Sequence, residues 1–268
     1  MPDAHVNGVR ISYDVTGEGN PLVLVPGRGF PRAWWEHQHH VRPYVEAGYQ
    51  VVRYDNRGLP PSECPPEPFT IADLMADLAA LLDHLELRDC TVVGYSMGSL
   101  ISQELAAARP DLVRTAVLIA TTGRQLAWQR AFNEGALELF ATGVPIPPKF
   151  LVGLLFSHLY DPDGLVDDAK VVPFLDELLS YPEWEDPGRS GQWRAYDAYV
   201  ADPAVLGRIA APTYVLGFER DLLMPPPLVR EVADAIPGAR YDELAGAGHW
   251  GVVLHPQEVC RRVLEFLA

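Results

Sequence analysis

A glycine-flanked serine between a short apolar strand and a helix constrains this chain more than any other feature. The segment Gly94-Tyr95-Ser96-Met97-Gly98 has the pattern G-x-S-x-G. The serine of this pattern occupies a sharp turn, and only residues as small as glycine let the chain bend so tightly. A β-branched run precedes it, and an amphipathic stretch from Met97 to Arg109 follows, stopped by Pro110. The alternative is a glycine-rich turn with an incidental serine, but this context favours Ser96 as a nucleophile.

Length and charge narrow the class of protein. A chain of 268 residues suits one α/β domain with an inserted cap. The net charge of -15 makes nucleic acid or an anionic membrane surface an unfavourable partner. It favours a protein that acts on small molecules.

The ends and the cysteines give an expectation about the compartment. The N-terminus has no basic region followed by an apolar one, and no apolar run is long enough to span a bilayer. Cys64, Cys90 and Cys260 are odd in number and widely spaced, which suits reduced thiols. We therefore expect a cytoplasmic protein.

Apolar strands alternate with helical stretches along most of the chain, as in a doubly wound parallel sheet. The predicted strands are Val9–Val15, Leu22–Val25, Tyr49–Tyr54, the run before Ser96, Ala116–Ala120, Thr213–Gly217 and Arg240–Leu244. The predicted helices are Trp34–Ala47, Thr70–Leu87 with Asp73 in a capping box, Met97–Arg109 and Pro256–Leu267. The sequence thus predicts an α/β fold with a mostly parallel sheet.

The alternation breaks in the middle of the chain. We predict that residues 1–121 and 208–268 form the core and that residues 122–207 form a helical cap over the carboxyl edge of the sheet. Aromatic residues at helical spacing usually pack in a core, but here they can also line a pocket for a bulky apolar substrate. They are Trp128, Phe132, Phe140, Phe150, Phe156, Tyr160, Phe174, Trp184, Trp193, Tyr196 and Tyr199.

Five segments together resemble the α/β-hydrolase superfamily, along the whole chain. They are Pro26-Gly27-Arg28-Gly29, Asp55-Asn56-Arg57-Gly58, Gly94-Tyr95-Ser96-Met97-Gly98, Gly217 to Pro225 and Gly246-Ala247-Gly248-His249. The serine, acid and histidine follow in the order that this architecture requires. The resemblance implies a catalytic triad and no cofactor.

The residues for such a triad can be named. An imidazole has the near-neutral pKa that a base for a serine hydroxyl needs, and His249 lies in a glycine-rich loop after the last strand. Asp221, in the loop after the preceding strand, fits the acid that orients the imidazole. Glu219 is the second choice for the acid. Some relatives take it from the strand after the nucleophile helix, but residues 121–124 contain no carboxylate.

The resemblance also implies an oxyanion hole made of backbone N–H groups. They belong to Met97 and, most plausibly, Arg28. The family commonly has His-Gly in the second loop, whereas this chain has Pro26-Gly27. A backbone donor survives this change, but we expect the hydrogen bonds that support Arg28 to differ from the family's. We expect substrate contacts from Phe30, Tyr95, Trp128 and Trp250.

Other histidines and charged residues receive structural interpretations. His37, His39 and His40 lie beside Glu36, but adjacent helix positions point in different directions, so we expect no metal site there. His255 precedes Pro256 and is interpreted as a helix-entry residue. Asp55 and Arg57 are expected to anchor a loop, and His158 and Tyr160 are open candidates for substrate contact.

Three functions remain open at this point. The first is a serine hydrolase for a carboxylic ester or thioester. Epoxide hydrolases and haloalkane dehalogenases resemble the chain in fold, but they carry aspartate at the position of Ser96, so the serine argues against both. A finer resemblance, in residues 27–30 and 55–62, is to discrete hydrolases of bacterial polyketide pathways, including polyether chain-releasing thioesterases. The acidic surface counts mildly against docking of an acidic carrier protein. The second function uses the same groups for cyclisation, carbon–carbon cleavage or another rearrangement, and the third is a binding protein with an idle triad.

Overall fold

An eight-stranded sheet forms the centre of the molecule. The computed structural model describes residues 2–37, 39–66, 68–180 and 188–268. The strand order is β1-β2-β4-β3-β5-β6-β7-β8; β2 runs antiparallel to its neighbours and the remaining pairs are parallel. The strands are β1 (Asp3–Val6), β2 (Val9–Thr16), β3 (Asn20–Val25), β4 (Tyr49–Tyr54), β5 (Cys90–Tyr95), β6 (Val113–Ile119), β7 (Thr213–Phe218) and β8 (Arg240–Leu244). The predicted mostly parallel α/β sheet is confirmed.

Helices cover both faces of this sheet. Those outside residues 122–207 are α1 (Ala33–His37), α2 (Val41–Glu46), α3 (Ile71–His84), α4 (Met97–Ala108), α10 (Pro226–Ala235), α11 (Gly251–Leu254) and α12 (Pro256–Leu267). All residues of β5 and β7 are buried, which explains their continuous apolar sequence. None of the helices in the described residues is both long and apolar enough to cross a bilayer.

The predicted helix from Trp34 to Ala47 is wrong in one respect, because the structure divides it into α1 and α2. His39 separates them with a φ of 59°, in the left-handed region that a helix cannot contain. The N–H of His40 instead donates to the carbonyl of Trp35 at 2.9 Å. Three elements outside residues 122–207 were not predicted, namely β1 at the edge of the sheet, α10 and the short α11.

In the described residues, five helices and one 3₁₀ turn lie between β6 and β7. They are α5 (Ala127–Ala141), α6 (Pro148–Leu159), the 3₁₀ turn Pro162–Val166, α7 (Asp168–Ser180), α8 (Gly188–Asp197) and α9 (Pro203–Leu206). This set is the helical insertion that the fold prediction required. The cap aromatic Trp184 lies outside the described residues.

Candidate active site

Ser96 lies at the junction of β5 and α4 with an unusual backbone. Its φ of 55° and ψ of -124° are sparsely populated for a residue with a side chain. Glycines on either side make the turn possible, because a Cβ on Gly94 would overlap Ser102 Oγ and one on Gly98 would overlap the carbonyl of Val25. The local sequence therefore forces the serine to the carboxyl edge of the sheet.

His249 connects Ser96 to Asp221. Its Nε2 lies 2.9 Å from Ser96 Oγ, and its Nδ1 lies 2.7 Å from Asp221 Oδ2. Histidine and aspartate are both almost fully buried, at 3% and 2% exposure. A carboxylate acceptor at Nδ1 favours the tautomer in which Nε2 is free to accept the serine proton.

Backbone donors hold the acid in place. Asp221 Oδ1 accepts from the N–H groups of Leu223 and Met224, both at 2.8 Å. The alternative acid, Glu219, uses Oε2 to accept from the N–H of Gly246 at 2.8 Å. The structure thus brings Asp221, and not Glu219, to the imidazole.

The loop that carries His249 is fastened on two sides. From the core, Tyr95 donates its hydroxyl to the carbonyl of His249 at 2.9 Å. From the cap, the carboxylate of Asp161 accepts from the N–H of Gly248 at 2.6 Å and lies 2.5 Å from His255 Nε2. The N–H of Trp250 also donates to the carbonyl of Leu159 at 2.8 Å. The cap and the core together fix the imidazole.

Asp161 had no signal in the sequence, since its partner Gly248 is 87 residues away. His255 was interpreted as a helix-entry residue; it does precede α12, and its ring also faces Asp161. Only the folded arrangement of α6 over the last loop shows that these residues position the histidine.

The loop after β3 approaches the serine closely. A Cβ on Gly27 would lie 3.3 Å from Ser96 Cβ. Two of the loop's N–H groups already have acceptors: that of Gly29 donates to Gln192 Oε1 at 2.8 Å, and that of Phe30 donates to the carbonyl of Gly27 at 3.2 Å. The N–H of Arg28, which precedes both, remains the predicted donor of this loop. Met97 remains the predicted donor at the first residue of α4.

Gln192, which the sequence analysis missed, joins the cap to this loop. Its side chain is fully buried; besides accepting from Gly29, it donates through Nε2 to the carbonyl of Arg57 at 2.9 Å. Arg57 in turn forms an ion pair with Asp77, as expected of a structural anchor. One amide from α8 thereby links two core loops.

The four residues predicted to contact substrate lie in different surroundings. Phe30 is buried with its ring 5.7 Å from that of Tyr95, and Trp250 is buried 5.1 Å from Phe174 of the cap. Trp128 lies on α5, 42% exposed, with its ring 6.3 Å from His158. The substrate role of all four remains a prediction.

His40 belongs to the core rather than to a histidine cluster. Its Nε2 donates to the carbonyl of Val252 at 2.6 Å, and Cys260 Sγ lies 3.2 Å from Nδ1. Burial lowers the pKa of His40 to about 4 and raises the pKa of Cys260 to about 11, so this pair is neutral.

The predicted absence of a metal site at the other histidines concerns His37 and His39. His39 is exposed, and the described residues contain no group of three or more His, Cys, Asp or Glu arranged to hold a metal ion. The side chain of His37 is outside the description.

Known proteins resemble this chain over most of its length. The family model described as "Alpha/beta hydrolase family" matches residues 22–262. A Mycobacterium tuberculosis H37Rv protein named "Putative non-heme bromoperoxidase BpoC" is 37% identical over 97% of this chain and 98% of its own. Its crystal structure superposes with a TM-score of 0.90 at 36% identity, covering 96% of this chain and 95% of that one.

Two further relatives carry names that refer to ester bonds. The rhodomycin D methylesterase DauP of Streptomyces sp. strain C5 is 28% identical over 93% of this chain and 92% of its own. The enol-lactonase of Burkholderia xenovorans LB400 superposes with a TM-score of 0.81 at 28% identity, covering 99% of both chains. The similarity to all three proteins therefore extends over the cap as well as the core.

Proposed function

The chain belongs to the alpha/beta hydrolase family, and on that premise we propose that it cleaves a carboxylic ester through an acyl-enzyme on Ser96. One observation carries the proposal: the imidazole of His249 contacts the hydroxyl of Ser96 through one nitrogen and the carboxylate of Asp221 through the other. This is the arrangement that turns a weakly nucleophilic serine into a reactive one.

The proposed reaction has two halves. Ser96 Oγ attacks the acyl carbon as His249 Nε2 takes the hydroxyl proton, and Asp221 stabilises the imidazolium. The carbonyl oxygen becomes an oxyanion, which accepts from the N–H groups of Met97 and Arg28. His249 then returns the proton to the leaving alcohol. Water repeats the sequence on the acyl-enzyme and releases the carboxylic acid and free Ser96.

The names of two relatives support ester cleavage, since one is a methylesterase and the other a lactonase. A bulky, apolar acyl group is proposed because aromatic rings of the cap lie close to the histidine loop: Trp250 is 5.6 Å from Phe156 and 5.1 Å from Phe174. A thioester from a bacterial polyketide pathway is the narrowest form of the proposal, and it rests on the resemblance in residues 27–30 and 55–62 alone.

A second candidate activity follows from the similarity to BpoC. If hydrogen peroxide replaces water in the second half-reaction, the acyl-enzyme releases a peracid. The peracid oxidises bromide to hypobromous acid and returns to the carboxylic acid. This reaction uses the same three residues and needs peroxide, bromide and an acyl donor.

The test combines active-site labelling with a substrate screen. Wild-type protein and Ser96→Ala are treated with a fluorophosphonate probe, and esters, thioesters and amides of increasing acyl length are assayed, with and without peroxide and bromide. The proposal predicts labelling at Ser96 and ester turnover in the wild type only. Labelling without turnover of any ester would favour a rearrangement such as cyclisation or carbon–carbon cleavage. A folded wild-type protein that resists labelling would favour a binding protein.

A further inference from the structure

The side chain of Arg28 reaches from the loop beside Ser96 into the cap. Its guanidinium carbon lies 3.5 Å from the ring centroid of Trp193 and 5.3 Å from that of Tyr196, and both rings belong to α8. The chain at Gly27, one residue earlier, passes directly beside the nucleophile. The cation is therefore held against the cap by a loop whose backbone passes beside Ser96.

Within the described residues, one nitrogen of this guanidinium lacks the hydrogen-bond partner that a desolvated cation normally has. Nη1 of Arg28 is inaccessible to solvent and has no hydrogen-bond partner in the described part of the chain. Other arginines with largely buried side chains pair directly with carboxylates: Arg32 with Asp14 and Asp55, Arg53 with Asp14, and Arg57 with Asp77. Although the residue as a whole is only half-buried, Nη1 is shielded from water, and a desolvated charged donor without an acceptor destabilises the fold.

The surroundings of Arg28 do not neutralise it. Burial lowers its pKa to about 10, a change partly offset by Tyr196 and Asp197, and the group is still a cation at neutral pH. Asp197, the carboxylate that acts on it electrostatically, accepts from Asn133 Nδ2 at 3.2 Å. The aromatic rings stabilise the cation by cation–π contact but provide no hydrogen-bond acceptor in line with Nη1.

We propose that Arg28 binds a carboxylate of the substrate, so that the ester hydrolysed here carries a negatively charged group besides its scissile bond. A guanidinium presents a planar set of donors that matches a carboxylate, and a desolvated site strengthens the pairing. The proposal rests on the ester hydrolysis proposed above and adds the class of substrate: an anionic ester whose charge lies near the reacting carbonyl.

The test compares matched esters that differ in one charged group. The first pair is 4-nitrophenyl hemisuccinate and 4-nitrophenyl butyrate, which place a carboxylate or a methyl at the end of acyl chains of similar size. The second pair is the butyrate esters of 4-hydroxybenzoate and 4-hydroxybenzamide, which place the charge on the leaving group. The readout is the ratio of kcat/KM for the anionic ester to that for the neutral ester, in wild type, Arg28→Met and Arg28→Lys.

We expect Arg28→Met to lower this ratio by about 30- to 100-fold for one of the two pairs, the effect of one charge-assisted hydrogen-bonded pair. Arg28→Lys should restore part of it. Because the ratio is the readout, any loss of activity common to both esters cancels. An unchanged ratio for both pairs in both variants, with equal losses on anionic and neutral esters, would overturn the proposal and give the side chain a structural role.

Binding to the Ser96→Ala protein separates this proposal from the proposed function. Calorimetry should show 4-hydroxybenzoate or succinate binding at least tenfold more tightly than 4-hydroxybenzamide or butyramide, with the preference lost when Arg28→Met is added. This result can appear even if no ester is hydrolysed, in which case only the proposed function fails. Equal, weak binding of acids and amides would contradict the carboxylate site while leaving ester hydrolysis untouched.

Discussion

The roles of individual side chains depend on what each polar atom contacts. Asp221 uses one carboxylate oxygen for His249 and the other for two backbone N–H groups, so its charge and its orientation are both fixed. Glu219, two residues earlier, has a side chain 49% exposed and contacts a backbone N–H instead. We therefore expect replacement of Asp221 and replacement of Glu219 to have different effects on catalysis.

Asp221→Asn tests this difference. The amide retains the shape but loses the charge that stabilises the imidazolium and selects its tautomer, so we expect kcat to fall about 10⁴-fold. Glu219→Gln is the matched control and should change kcat by less than about threefold, because its contact lies outside the proposed proton path. Steady-state ester hydrolysis measures both. Similar losses in the two variants would mean that the acid is assigned wrongly.

His40 makes stability depend on pH. Its pKa lies near 4 in the folded protein and near 6.5 otherwise, because burial disfavours the charged form. The unfolded chain therefore binds the extra proton, and stability is lost as the pH falls from about 6.5 towards 4. Acidification from pH 7 to pH 5 should therefore lower the free energy of unfolding by about 2 kcal/mol through His40.

Urea unfolding at the two pH values measures this effect against a His40→Gln variant, which has no proton to bind. The variant should lose about 2 kcal/mol less than the wild type on acidification, whatever its stability at pH 7. Parallel losses in both proteins would show that His40 is not buried in the neutral form.

At the scale of elements, the junctions between strands and helices decide where the site forms. The turn from β5 to α4 requires glycine on the inner side, where α4 crosses the carbonyl groups at the end of β3. The loop after β8 requires the end of α6, which supplies the carbonyl of Leu159, and the residues just after it, which supply Asp161. Both junctions depend on contacts between segments and not on the intrinsic stability of a single helix.

Gly98→Ala should destabilise the protein by at least about 2 kcal/mol, because a methyl group there overlaps the backbone of β3. Gly135→Ala is the control: Gly135 is in α5 with nothing within 4 Å of the added carbon, and alanine should stabilise that helix by about 0.5–1 kcal/mol. Urea midpoints compare the two. A neutral Gly98→Ala would contradict the close packing of α4 on β3.

Asp161→Ala should impair catalysis without touching the three reacting side chains. Releasing Gly248 frees the loop that aims His249, and a small misplacement of a catalytic base lowers kcat by about tenfold or more. Asp163→Ala, two residues on and exposed, is the control. The rate of Ser96 labelling by the fluorophosphonate probe should fall with kcat in the first variant only. Equal labelling rates would show that the cap contact does not position the histidine.

At the scale of the whole molecule, burial is uneven between core and cap. Nine of the twelve residues of α4 are buried, whereas only Leu178 is buried in α7 and only Gln129 and Asn133 in α5. Local opening is easiest where few apolar groups are buried. Residues 122–207, the predicted cap, should therefore open independently of the sheet.

Hydrogen exchange tests this expectation. Amides of α5 and α7 should exchange at least about 100-fold faster than those of β5 and α4, which should exchange only on global unfolding. The boundary between fast and slow segments locates the cap experimentally. Uniform protection across both regions would show that cap and core unfold as one unit.

Much of this molecule can be predicted from its sequence because the signals are local. Strands such as β4 and β8, the capping box at Thr70 and the turn at Ser96 each depend on residues within one segment. The sequence signal fails where a contact joins distant segments. His39 ends a helix that periodicity would continue, and Asp161 and Gln192 reach loops 87 and 163 residues away. The missing partner of Arg28 likewise becomes visible only when the cap and core are together.

The central claim is that Ser96 becomes acylated during turnover. The most direct measurement is rapid acid quench of the wild type and Ser96→Ala with a 4-nitrophenyl ester, followed by peptide mass spectrometry. We expect an acyl group on the peptide containing Ser96 at early times, its loss as substrate is exhausted, and no modification in the variant. Turnover with no acylated peptide, or an acyl group on another residue, would contradict it.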